Sequence, residues 1–166
     1  MPGSSTVFVG IGSNMGDKTA QCRLAVERMN QIPGCRVAAV SPFFGSEPVG
    51  VVGQDWYVNA VAELEVEIPA RRLLEALLAI EAGMGRVRLK KWDSRPIDLD
   101  ILIFGKEVID EADLSVPHPL MHTRRFVLAP LAALAAEWVH PVLNMTVQAL
   151  LDRLPSGEQA VSALEE

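Results

Sequence analysis

The chain has 166 residues, 49% of them hydrophobic and 22% charged, with a formal net charge of −6. That length suits one domain with a real core, and the composition excludes a disordered polypeptide. The negative balance argues against a general nucleic-acid binder, and no apolar run reaches the ~18 residues needed to cross a membrane.

Residues 1–5 are read as too short and too polar for a signal peptide. Thr6 to Ile11 is a buried strand ended by Gly12-Ser13-Asn14, with Gly10-Ile11-Gly12 explained as a strand-to-helix turn. Asp17 caps a helix whose apolar stripe is Cys22, Ala25, Val26 and Met29, closed by Pro33-Gly34. Cys22 lies on that stripe, and neither it nor Cys35 has metal-ligand spacing, so free thiols in a reducing cytoplasm are expected. A short strand at 37–40 precedes residues 42–56, which hold three glycines and two prolines and read as a long mobile loop.

From Tyr57 to Ile68 the pattern alternates strictly. Val58, Ala60, Ala62, Leu64, Val66 and Ile68 take one face; Tyr57, Asn59, Val61 and three glutamates take the other. Pro69 opens a helix with Leu73, Leu74, Leu77, Leu78 and Ile80 inward, stopped by Gly83 and Gly85. A basic stretch follows, then a strand at 97–104 with a hairpin partner at Glu107 to Ile109. Helices around 121–135 and 147–154 complete the chain.

The order is β-α-β-β-α-β, which predicts an α+β, ferredoxin-like sheet with helices on one face and the other face open. A single domain 1–166 is expected, with its core at 6–104, a hairpin and helical extension at 105–155 and a frayed tail at 156–166.

Asp98 and Asp100 stand two residues apart in the apolar run Ile97 to Phe104, so a strand projects both carboxylates from one side, together with Leu102 and Phe104. Two neighbouring carboxylates ask for a cation between them, and hard oxygen donors of this kind suit Mg²⁺ completed by water and phosphate. The plain alternative is an edge strand with its polar face in water. Upstream, residues 86–95 carry five of the chain's fifteen basic residues around Trp92. A solvated loop would explain the charge, but a loop folding over a phosphate ligand would also employ the tryptophan. Tyr57 and Asn59 share a strand face and suit a flat heterocycle. His118, between two prolines, suits a ligand contact or a turn. No Ser/His/Asp or Cys/His arrangement supports covalent catalysis.

Taken in order, Gly12-Ser13-Asn14, Tyr57-Val58-Asn59-Ala60, Gly85-Arg86-Val87-Arg88, Arg95-Pro96-Ile97-Asp98-Leu99-Asp100-Ile101-Leu102, Val116-Pro117-His118-Pro119 and Arg124-Arg125-Phe126 resemble the 6-hydroxymethyl-7,8-dihydropterin pyrophosphokinases of folate biosynthesis. The resemblance runs from about residue 6 to about residue 155. It implies a monomeric enzyme that moves pyrophosphate from MgATP to the pterin's hydroxymethyl group and releases AMP, with two Mg²⁺ ions held by Asp98 and Asp100. Tyr57 and Phe126 would sandwich the pterin, with Asn59, backbone groups from Ser46 to Val49, and Arg124 at its edges. Arg86 and Arg95 would meet the phosphates, with His118 on the phosphate side of ATP. Arg88 and Trp92 would close over the site, where Trp92 and Asp98 also reach the pterin. Ile101, Leu114 and Ser115 would lie toward the nucleotide.

The chain departs from the family's habit in several places, and the basic stretch around Lys90 and Lys91 is one residue shorter than in some relatives. Asp93-Ser94 precedes the motif's arginine, where relatives carry Gly-Pro or Gly-Ala. Leu78 stands at a helix position where some members have a glutamine, and Pro119 follows the histidine where some have tyrosine. Another Mg-dependent phosphoryl or nucleotidyl transferase, or a binding module without turnover, are the rival readings.

Overall fold

A computed structural model describes residues 4–14, 16–46, 56–85, 97–155 and 161–164. Its elements are β1 Ser5–Ser13, α1 Lys18–Asn30, β2 Cys35–Val40, β3 Phe44–Ser46, β4 Tyr57–Val66, α2 Ala70–Gly83, β5 Asp98–Phe104, β6 Ile109–Glu111, β7 Leu114–Val116, α3 Arg125–Ala135, α4 Val147–Asp152 and β8 Val161–Ala163. A 3-10 turn, Met121–Thr123, precedes α3. In the sheet β5, β1 and β4 lie side by side. The far edge of β4 is shared by β2 toward one end and β3 toward the other, with β8 beyond β3. All pairings are antiparallel, so β1, β2, β4 and β5 form the expected ferredoxin-like core.

The strict alternation of β4 becomes a two-faced strand, as its period of two requires. Val58, Ala60, Ala62, Leu64 and Val66 join Val7, Val9 and Ile11 of β1 beneath α1 and α2. Asp17 caps α1 by accepting the Ala20 N–H at 3.1 Å, which satisfies one of the first-turn donors. Cys22 and Cys35 are free thiols, and burial pushes the Cys22 thiol up to about 12. Of the expected inward leucines of α2, Leu73 and Leu77 are buried and Leu74 partly so, whereas Leu78 is 45% exposed. The inward arc instead takes in Glu81.

The second face is not wholly open. Phe8, Val61, Leu102 and Ile103 from the sheet pack against Val127, Leu128 and Leu131 of α3 and Val147 and Leu150 of α4. Phe8 meets Trp138 edge-on, with ring centroids 5.1 Å apart. The part of this face near the start of β5 stays accessible and holds a cavity.

Four local expectations need correcting. β1 does not end at Ile11 but takes in Gly12 and Ser13, because β4 pairs with both and β5 pairs with Gly12. The stretch read as loop from 42 contains β3, and residues 47–55 lie outside the described residues. The partner expected for β5 at 107–109 is absent; β6 pairs with β7 in a small separate sheet. The tail expected to fray supplies β8, held to β3 in the register Phe44↔Ala163 and Ser46↔Val161.

Before α4, the buried His140 accepts N–H bonds at Nδ1 from Val142 (3.2 Å) and Leu143 (3.0 Å), so the ring must stay neutral to hold this turn. Burial lowers its pKa from 6.5, and His122 acts in the same direction. Below that value the unfolded chain binds a proton that the native ring resists, so stability falls as pH drops through about 6.5. The urea midpoint should therefore decrease from about pH 7 to about pH 5, and His140→Asn, which keeps an acceptor without a titrating ring, should flatten the slope. The slope will not vanish, because His118 is shifted in the same direction.

Candidate active site

Three strands build the floor of a cavity of about 540 Å³ on the accessible part of the second face. β5 supplies Asp98, Asp100 and Leu102, β1 supplies Gly10 and Gly12, and β4 supplies Tyr57, Asn59 and Val61. Ser46 of β3 joins the lining, and Thr123, Arg124, Phe126 and Val127 close it from the start of α3.

Pairing register explains the arrangement. Gly12 lies opposite Asn59 on one side and Asp98 on the other; Gly10 lies opposite Val61 and Asp100. Two strand spacings put the Asn59 and Asp98 backbones ~10 Å apart, with only hydrogen atoms rising from the strand between them. A Cβ at Gly12 would sit 3.1 Å from Asn59 Nδ2 and 3.9 Å from Tyr57 Cδ2. These glycines form a trench between an amide-aromatic wall and an acidic wall. Sequence reasoning missed that role, although glycines spaced by two inside an apolar run are a known mark of close approach to a strand.

On the amide wall, the Ser46 hydroxyl donates to Asn59 Oδ1, and both residues are buried. Asn59 Nδ2 is thereby turned toward Gly12 as a hydrogen-bond donor. Tyr57 and Phe126 are half-buried and line the same space from different elements. The Arg124 guanidinium lies 5.6 Å from the Phe126 ring centroid, a cation-π distance.

On the acidic wall, Asp98 is half-buried and Asp100 exposed. Leu102 shares their side but Phe104 does not. The β1–β5 register shifts so that Phe8 faces Ile103 and Val9 faces Ile101, and this bulge turns Phe104 to the helix-covered core. Among the described residues no group of three His, Cys, Asp or Glu side chains gathers to hold a metal. Among the described residues, Asp98 and Asp100 are two carboxylates opening on a cavity, a pair that could take Mg²⁺ completed by water and phosphate.

His118 does not line the cavity, but it is placed beside the acidic wall. Burial lowers its pKa; the charge of Asp100 raises it and that of Arg124 lowers it. Its backbone N–H donates to Leu102 O at 2.9 Å, and its Nδ1 accepts the Leu120 N–H at 3.1 Å. The neutral ring therefore carries its proton on Nε2.

The other sequence-derived candidates separate. Ile101 and Leu114 are buried in the helix-covered core, because alternation turns residue 101 away from Asp100. Ser115, on β7, is half-buried outside the cavity lining. Val49, Arg86, Arg88, Trp92 and Arg95 lie outside the described residues, as does Asp93-Ser94.

The family described as 7,8-dihydro-6-hydroxymethylpterin-pyrophosphokinase (HPPK) matches residues 8–136. The chain is 40% identical over 136 residues to the 2-amino-4-hydroxy-6-hydroxymethyldihydropteridine pyrophosphokinase of Haemophilus influenzae, covering 82% of this chain and 85% of that protein. It is 42% identical over 156 residues to the protein of the same name from Methylorubrum extorquens, covering 93% and 97%. Among solved structures, Plasmodium falciparum HPPK-DHPS superimposes with a TM-score of 0.72 over 90% of this chain and 44% of that longer one. At 13% identity, that likeness speaks for the fold alone.

Proposed function

The chain belongs to the 7,8-dihydro-6-hydroxymethylpterin-pyrophosphokinase family, and we infer that it transfers pyrophosphate from ATP to the hydroxymethyl group of 6-hydroxymethyl-7,8-dihydropterin, releasing AMP in folate biosynthesis. One observation carries the reading within this molecule: a glycine-floored cavity with an aromatic and amide wall facing a pair of carboxylates.

The pterin would lie over Gly12 between Tyr57 and Phe126, where the Asn59 amide donates to an acceptor on its edge. Its hydroxymethyl group then points across the trench toward Asp98. The hydroxyl oxygen forms a bond to the β-phosphorus of ATP and releases its proton to water, the bond from that phosphorus to the oxygen bridging to the α-phosphate breaks, and AMP leaves with the electron pair. Asp98 and Asp100 would hold two Mg²⁺ ions, which supply charge neutralisation to the phosphates when bound. Arg86 and Arg95 from the basic stretch would add positive charge where negative charge spreads, and Arg124 on the cavity wall would meet the pterin's edge. His118 offers a neutral Nε2–H donor beside Asp100. Arg88 and Trp92 would close the site against water, so that hydrolysis does not compete. Ile101, Leu114 and Ser115 would come into play only at the nucleotide's far end. Two free thiols support a reducing, cytoplasmic setting, and we take the enzyme to act as a monomer on these two small molecules.

The test is to incubate the protein with MgATP, with and without the pterin, and to resolve the nucleotides. AMP formed only with pterin is the expected result. ADP as product, or AMP formed without pterin, would sink the reading.

A further inference from the structure

Helix α2 presents an apolar row at every fourth residue, Leu73 and Leu77, and the next position in that row is Glu81. This glutamate is 4% exposed, and burying a carboxylate is costly unless it is well bonded. Its Oε2 accepts the Leu99 backbone N–H at 2.7 Å, the short length of a charge-assisted bond.

The place of that bond matters. Among the described residues β5 is at the edge of the sheet and pairs with β1 alone, so alternate N–H groups on its outer side have no strand partner there. Leu99 is the residue between Asp98 and Asp100. Glu81 thus stands in for a missing strand at the residue between the two carboxylates, on the side of β5 away from β1. Three residues on, the His118 N–H meets Leu102 O and holds the same edge a second time.

We propose that Glu81 is a positioning residue for the nucleotide-metal site: by holding the Leu99 amide it sets the geometry of the Asp98–Asp100 pair. This rests on the assignment of that pair as metal ligands. A carboxylate that orients a ligand from behind, without touching the metal, typically supports affinity by ~10–100-fold.

The experiment compares Glu81→Ala with Glu81→Gln, whose amide oxygen can still accept the N–H. Two readouts are needed: hydrogen exchange at the Leu99 amide, and affinity for Mn²⁺ with a non-hydrolysable ATP analogue, followed by Mn²⁺ electron paramagnetic resonance. Glu81→Ala should lose protection at Leu99 and weaken Mn²⁺-nucleotide binding roughly tenfold or more, with pterin binding unchanged. Glu81→Gln should keep both within about threefold of the parent. Normal Mn²⁺-nucleotide affinity in a folded Glu81→Ala protein overturns the proposal. So does a Glu81→Gln protein that binds Mn²⁺-nucleotide as poorly as Glu81→Ala, because charge rather than the backbone bond would then be at work. If Glu81→Ala fails to fold, Glu81→Gln decides alone: parent-like affinity supports the proposal and weakened affinity overturns it. Amide exchange does not depend on the reaction, so failure of the parent protein to form AMP would strike the proposed function and leave this contact separately readable.

Discussion

Asp98→Ala and Asp100→Ala should each cut pterin-dependent AMP formation about a thousandfold while leaving the fold intact. The size follows from the charge problem. Phosphates and a spreading transition-state charge face two carboxylates, and only a cation between them makes the encounter favourable. Losing one ligand forfeits several kcal/mol of that stabilisation, and about 4 kcal/mol corresponds to a factor of a thousand. Stability should move the other way. Asp98 is half-buried and Asp100 exposed, so neither supports the core, and removing one of two like charges relieves repulsion. The urea midpoint should stay level or rise slightly. A variant with near-full turnover would end the metal-ligand assignment, and one that unfolds would show a structural role for the carboxylates.

Gly12→Val should abolish measurable pterin binding, a loss of at least a hundredfold, with nucleotide binding changed little. The first added carbon already presses on Asn59 Nδ2 at 3.1 Å, and the two methyls beyond it rise into the trench between Asn59 and Asp98. Displacing Asn59 also breaks its buried bond with Ser46, so shape and hydrogen bonding fail together. A valine suits a strand, so the protein should fold. Quenching of pterin fluorescence, with nucleotide affinity measured separately, checks this. Parent-like pterin affinity would show that the acceptor lies elsewhere.

Much of the fold was legible because it rests on rules local to one segment. The alternation from Tyr57 to Val66, the cap at Asp17 and the helix opening after Pro69 each need only their own neighbours. The carboxylate pair was legible for the same reason: two charges in an apolar strand are conspicuous wherever the strand lies. What escaped depended on partners distant in sequence. A glycine-rich turn and a glycine-bearing strand read alike until β4 and β5 flank β1. Leu78 and Glu81 both lie on the helix, and only the position of the sheet decides which of them points inward. β8 is three residues with no pattern of its own, and it becomes a strand because β3 offers it an edge. The cavity combined the two kinds of information. Its walls were named by their chemistry, but its floor was set by register.

The bulge that lets Phe8 face Ile103 while Val9 faces Ile101 bears on how β5 tolerates insertions and deletions. Ahead of it the strand sends its acids to the cavity; beyond it Ile103 packs under α3 and α4, and Phe104 under α1 and α2. A single-residue deletion before the bulge leaves the chain two choices. It can keep the downstream packing and turn both aspartates into the apolar core, or keep the aspartates in place and lose the fit of Ile103 and Phe104. Between residues 98 and 104 the count is as constrained as the chemistry. Libraries built on this scaffold should vary side chains there and never the number of residues.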